Sequence, residues 1–230
     1  MDPYRLLRPV LFRFSPERAH EMTLRLVGLV GWLPPVRRLL GAWGGGAVED
    51  PVELWDLTFP NRVGLAAGYD KDGRGWRALG ALGFGHLELG TVTPEPQAGN
   101  PRPRVFRLPE DRALINRLGF PSRGMERFAG NLPESRSPGS PVLGINLGKQ
   151  RETPLERAEE DYVRLLEQLG PRGDYVAINV SSPNTPELRR LQGTEFLDRL
   201  VRALLRTRDG LPGRRIPLLV KLAPDLSEKE

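Results

Sequence analysis

The sequence predicts an α/β fold: a (β/α)8 barrel of the TIM type, with about the first five strand–helix units present behind an N-terminal helical extension. Three observations predict it. Five apolar runs, at 63–67, 86–92, 142–147, 175–180 and 216–222, are dominated by Val, Ile, Leu and Ala, as strands covered on both faces tend to be. Each run ends in a cluster of Gly, Asn, Thr, Ser or Lys, and helical stretches lie near 74–82, 154–169 and 194–208. Strand followed by helix, repeated, requires parallel pairing with crossovers. A doubly wound sheet is the competing arrangement, but no G-x-G-x-x-G follows the first strand, as its dinucleotide-binding version requires.

Composition narrows the chemistry. The 230 residues contain no cysteine and two histidines, His20 and His86, in unrelated contexts. Disulfides, thiolate nucleophiles, zinc and a Ser-His-Asp triad are therefore disfavoured. The net charge is +5, and residues 1–46 hold seven arginines against Asp2, Glu17 and Glu21. The excess sits at the front, so no nucleic-acid partner is indicated.

In chain order, 4–14 and 16–33 read as two short helices, with Ser15 placed to cap the second and Pro16 at its first position,. Met22, Leu26, Leu29, Val30 and Leu33 recur at helical spacing against a polar side of Arg18, Glu21 and Arg25,. The apolar run is too short and too interrupted for a membrane span. Two readings stand: a helical pair packed on its own domain, or an amphipathic device lying on an anionic membrane surface. Gly44-Gly45-Gly46 is the best boundary, dividing 1–46 from the barrel domain at 47–230,. The stretch 51–63 suggests a small hairpin. At the far end, Ser227-Glu228-Lys229-Glu230 has the form of a capping box, a signature of helix beginnings. Five strands against the eight of a closed barrel of roughly 250 residues lead us to expect a truncated product, or a partial gene model, of a longer protein.

Several residues carry candidate chemistry. Asn179, Ser182, Asn184 and Thr185 follow the run at 175–180, where Pro183 and Pro186 stop the strand,. Lys71 follows the small residues 66–68, which leave room for a flat ligand; taken alone, the segment reads as a tight turn with a solvated lysine. Lys221 ends an apolar strand, so its ammonium is expected to be desolvated unless something anionic meets it. Asn146 and Asn179 occupy equivalent places in two strands and suit either a heterocycle edge or a structural amide ladder. Residues 116–120 lie in a long connection, 93–141, as a lid or a mobile linker.

The segments GLAAGYDKDG, ELGTVTPEPQAGNPRPRVFRL, INRLGF, LGINLGK, INVSSPNTPELRRLQ and VKLAPDLS, together with the helix SPERAHEMTL, are similar in order and spacing to the membrane-associated class 2 (quinone-dependent) dihydroorotate dehydrogenases. The resemblance runs over essentially the whole chain. Ser182, where the class 1 enzymes carry cysteine, and the helical extension point to class 2.

The resemblance implies oxidation of dihydroorotate to orotate in pyrimidine biosynthesis, with FMN as cofactor and a membrane quinone as acceptor. Ala67, Gly68, Tyr69, Asp70, Lys71, Thr91, Asn146, Asn179 and Lys221 match the flavin contacts, Lys221 beside the reduced ring. Lys71, Asn116, Arg117, Leu118, Gly119, Phe120, Asn179 and Asn184 match the substrate contacts. Ser182 matches the base that takes the C5 proton while hydride leaves C6, Thr185 and Phe120 match the proton outlet, and His20 and Arg107 match the quinone entrance. The N-terminal helices then belong on the membrane, and the protein is placed peripherally on its cytoplasmic face. The strands that grip the FMN phosphate in that family have no counterpart in the sequence. An inactive fragment, or another FMN barrel acting on a different heterocycle such as dihydrouracil, remains the alternative.

Overall fold

Three proline-led helices come first: α1 (Pro3–Leu11), α2 (Pro16–Val30) and α3 (Pro34–Trp43). The computed structural model describes residues 3–43, 50–134, 140–185 and 187–226. The glycine break at 44–46 and the terminal capping box lie outside them. Helix α3 was not anticipated, yet Pro34 and Pro35 open it as prolines open helices, where their missing N–H groups cost nothing,. Ser15 does occupy the position before α2, but its side chain makes no capping hydrogen bond, correcting that expectation.

The hairpin expected at 51–63 is β1 (Val52–Leu54) and β2 (Leu57–Phe59). Its turn residues Trp55 and Asp56 both have positive φ, as a two-residue turn matched to strand twist requires. Beyond it lie β3 (Gly64–Leu65), α4 (Trp76–Ala81), β4 (His86–Val92), β5 (Val105–Leu108), β6 (Ala113–Asn116), α5 (Met125–Asn131), β7 (Val142–Leu147), α6 (Ala158–Leu169), β8 (Tyr175–Asn179), α7 (Thr194–Gly210) and β9 (Leu218–Lys221). The five expected barrel strands form one parallel sheet in the order β3-β4-β7-β8-β9. Each strand lies beside its predecessor, as the first five staves of a barrel do. Within the connection 93–141, the described residues hold the antiparallel pair β5–β6 and helix α5.

Alternation sorts the strand side chains onto two faces. Leu87, Leu89, Leu143, Ile145, Leu147, Val176 and Ile178 pack outward in one core with Phe128, Tyr162, Leu165, Leu200 and Leu204 of the covering helices. The opposite face carries the alternate residues: His86, Glu88, Gly90, Val142, Gly144, Asn146, Tyr175, Ala177, Asn179 and Lys221. Leu57 and Phe59 of the hairpin pack on Val142, Tyr175 and Ala177, closing the end where β7 and β8 begin. Gly144 is needed there, because a Cβ would stand 2.1 Å from the Tyr175 ring. The other end of the sheet is left for polar groups.

Candidate active site at the carboxyl ends of the strands

The polar side chains of the inner face are bonded to one another. Asn146 donates from Nδ2 to Glu88 Oε1 at 2.7 Å and accepts at Oδ1 from the Thr91 hydroxyl at 2.5 Å. Asn179 Nδ2 lies 3.1 Å from Thr91 Oγ1 and 3.3 Å from Asn146 Oδ1. Its own Oδ1 accepts from the backbone N–H and hydroxyl of Ser181 at 3.2 and 3.0 Å. Asn146, Asn179 and Thr91 are all buried. The amide-ladder reading is thus realised, with Asn146 fully buried at its centre,. Tyr162, from α6, donates its hydroxyl to the Asn179 carbonyl at 2.9 Å and fixes the end of β8.

Glu88 was missed in the sequence. Its signal was there: a carboxylate in phase with the inner face of β4, within reach of Lys221, whose Nζ stands 3.7 Å from Oε1. The Tyr175 hydroxyl adds a contact at 3.5 Å. Lys221 itself departs from expectation, since its side chain is 45 % exposed. The end of β9 is open to solvent, so the ammonium is hydrated and paired instead of desolvated.

The loop after β3 forms the second cluster. Gly68 has φ of 110°, and a Cβ there would meet nothing within 4 Å. Ala67 and Tyr69 beside it are partly buried. Asp70 is turned away: its carboxylate accepts from the N–H groups of Arg74 and Gly75 at 2.9 and 2.7 Å and so caps α4. Its side chain is therefore structural, and burial raises its pKa despite those bonds. Lys71 donates to the Gly68 carbonyl. Burial pushes its ammonium below the ordinary lysine range, Asp72 only partly offsetting this. A poorly hydrated ammonium bonded to a carbonyl still favours an anion.

The third cluster is the β5–β6 pair and the turn after it. Asn116 ends β6 exposed, and Arg117 turns aside to the Pro103 carbonyl at 3.0 Å. Leu118 accepts from the Asn100 N–H at 2.9 Å. Gly119 and Phe120 have φ of 66° and 50°, and the Gln97 amide holds the Phe120 carbonyl at 2.8 Å. Phe120 lies over Gly148, where a Cβ would come 2.4 Å from the Thr91 methyl and 3.0 Å from the Phe120 ring. Residues 116–120 are a braced turn.

A cleft of about 1620 Å³ runs between α1, α2, this pair and the loop after β3. It gathers His20, Gly68, Tyr69, Lys71, Arg107, Asn116 and Leu118. His20 Nε2 meets the Tyr69 carbonyl at 2.7 Å, and burial holds its pKa below the usual histidine value, outweighing that bond. Arg107 donates to the Phe14 carbonyl at 2.7 Å and lies over the Phe12 ring. Thr91, Asn146, Asn179 and Lys221 stand apart from this cleft, at the sheet end. The loop after β8 spans the two groups. Asn184 Nδ2 reaches the Asn116 carbonyl at 3.4 Å, its own N–H donates to Ser182 Oγ at 3.3 Å, and Ser181 holds Asn179. Next in that loop, the Thr185 hydroxyl is buried and has no hydrogen-bond partner among the described residues.

The model of the dihydroorotate dehydrogenase family matches residues 51–230. The chain belongs to the dihydroorotate dehydrogenase family. It is 52 % identical over 234 residues to the dihydroorotate dehydrogenase (quinone) of Verminephrobacter eiseniae, covering 99 % of this chain and 64 % of that protein. The enzyme of the same name from Acidithiobacillus ferrooxidans is 51 % identical over 235 residues, with the same two shares. Among solved structures, Eimeria tenella DHODH in complex with ferulenol superposes with a TM-score of 0.80 at 36 % identity, covering 94 % of this chain and 61 % of that one. The chain thus spans just under two thirds of the length of these dehydrogenases. Among the described residues, no helix is long and apolar enough to cross a membrane.

Proposed function

We propose that the chain carries the flavin- and substrate-facing part of a quinone-dependent dihydroorotate dehydrogenase, oxidising (S)-dihydroorotate to orotate in pyrimidine biosynthesis. The observation that carries this reading is the loop 181–185, which joins the amide cluster at the sheet end to the lysine-bearing cleft. FMN is the cofactor we assign, and the residues present fit its ring. Gly68 leaves open space for a flat group, and Lys221 holds positive charge at the end of β9. When bound, FMN supplies a two-electron acceptor.

Each side chain then has a task. Lys71 meets the carboxylate of dihydroorotate, and Asn116, Asn179 and Asn184 hold its ring. Ser182 takes the C5 proton, while hydride leaves C6 and orotate remains. A hydroxyl is a weak base at neutral pH, so the role needs shielding and an outlet. The buried Thr185 hydroxyl and the Phe120 ring supply those two parts. Residues 1–46 form the extension through which a membrane quinone reaches His20 and Arg107, with the protein lying peripherally on the cytoplasmic face. Residues 47–230 form the barrel portion.

Titrating FMN into the chain and following quenching of flavin fluorescence tests the cofactor, and dihydroorotate with a quinone analogue tests turnover. Ser182→Ala is expected to keep FMN and lose at least about a hundredfold in kcat. Full activity in that variant, or a preference for dihydrouracil over dihydroorotate, overturns the reading.

A further inference from the structure

Against α2 lies a second pocket of about 350 Å³, which shares Leu24, Arg25 and Arg74 with the cleft; its volume is within the roughly 300–1,000 Å³ of small-ligand sites. Three guanidinium groups line it, Arg25, Arg74 and Arg77, and no carboxylate does. Two of them are engaged by a carboxylate: Glu21 binds Arg74 at 2.9 Å and Arg25 at 2.9 Å, with Arg74 Nε alone left without a hydrogen bond among the described residues. Arg77 is not. Among the described residues it has no hydrogen bond or ion pair, and its pKa is lowered by burial and then by the like charge of Arg37. What holds it is aromatic: its guanidinium lies 3.9 Å from the Trp32 ring centroid and 4.4 Å from that of Trp76.

This arrangement is specific in its consequences. Stacking on indole rings orients a guanidinium and leaves its N–H edge for an acceptor, and that fork matches phosphate oxygens. The Trp76 indole is itself fixed, donating to the Asn131 carbonyl at 3.1 Å. Beside the pocket, Leu26, Leu29, Trp32 and Leu33 are exposed along one side of α2 and its end, Trp32 and Leu29 each by 66 %. A pre-oriented cation without a counter-ion, set next to an apolar strip, is complementary to a molecule with an anionic head and a hydrocarbon tail.

We infer that Arg77, stacked with Trp32 and Trp76, binds the phosphate of an anionic phospholipid, with the acyl chain along Leu26, Leu29 and Leu33. The inference deepens the peripheral membrane placement proposed above and rests on it. The site differs from a diffuse basic surface in depending on one residue and on planar geometry.

Co-sedimentation of the 230-residue chain with phosphatidylcholine vesicles, with and without one fifth phosphatidylglycerol, tests it. The wild-type chain is expected to bind the anionic vesicles more tightly, and Arg77→Gln to lose about five- to tenfold of that affinity. Arg77→Lys keeps the charge without the fork and is expected to recover only part. Arg18→Gln, an exposed arginine of α2, is the charge control. If it costs as much as Arg77→Gln, or if Arg77→Gln binds like wild type, the site is overturned. Equal binding to both vesicle types removes the headgroup site and leaves membrane association standing, whereas binding to neither removes both. Tryptophan emission gives a second readout. A response to inorganic phosphate that is absent in Arg77→Gln, without any response to anionic vesicles, assigns the pocket to a free anion and overturns the lipid.

Discussion

The sheet and the N-terminal helices draw on the same apolar residue types and place them in opposite ways. All six residues of β7 are buried, whereas residues 4–10 of α1 are all exposed and α2 buries only Ala19 and Leu24. Beside Leu24 and Val27, which pack inward, the extension is fastened by polar bonds: Arg74 to Glu21 at 2.9 Å, Arg104 to Glu17 at 2.6 Å, and Arg107 to the Phe14 carbonyl at 2.7 Å. Cohesion in the sheet comes from area withdrawn from water. The helices are held by a few directional bonds, which leaves their apolar side outward.

That contrast can be broken at several points. The largest effect is expected from Ile145→Ala, which empties a site in the main core and should cost about 2–5 kcal/mol in denaturant unfolding. Glu21→Gln comes next, at about 1–2 kcal/mol after discounting for partial exposure. Its signature is faster amide exchange in α2 with β7 unchanged. Arg74 and Arg25 hold Glu21 down to about 2 against an ordinary 4.5. The unfolded chain therefore takes up the proton first, and this contribution, full above pH 4.5, is lost as pH falls toward 2. In Glu21→Gln that acid-dependent part should be missing.

Lys71→Met is expected to act in the other direction. The buried ammonium has a lowered pKa, so its cost is present at neutral pH and relieved as pH rises toward 10.5,. Removing it should raise stability by about 1 kcal/mol, or roughly 2–4 °C in Tm, while dihydroorotate affinity falls. The smallest effect is expected at Leu29→Ala, within about 0.5 kcal/mol because the side chain is already in water. A loss there as large as at Ile145 would mean that the helices and the sheet share one core after all.

The strands were legible because their burial is two-sided: His86–Val92 and Val142–Leu147 have the bounds their apolar runs predict. The first strand shrinks to Gly64–Leu65, since Ala66 and Ala67 leave the ladder as the chain turns toward Gly68. The pair β5–β6 was not legible, because Ala113 to Asn116 are all exposed and carry no alternation to read. At the site, Asn146 and Asn179 could be found as amides in apolar strands. Asp70 could not be told from a ligand contact, as its capping of α4 depends on a turn that brings Arg74 and Gly75 under its carboxylate. The exposure of Lys221 was equally hidden, being set by what lies beside β9 and not by the residues within it.

The short ladder formed by β5 and β6 is gripped at two rungs with one between them. Arg107, opposite Leu114, is tied to the end of α1, while Asn116, opposite Val105, is tied to Asn184. These anchor points are two residues apart along the ladder, about 7 Å. A tilt of the first helix therefore cannot stay local: it drags a stiff two-stranded lever whose other arm rests on the loop holding Ser182.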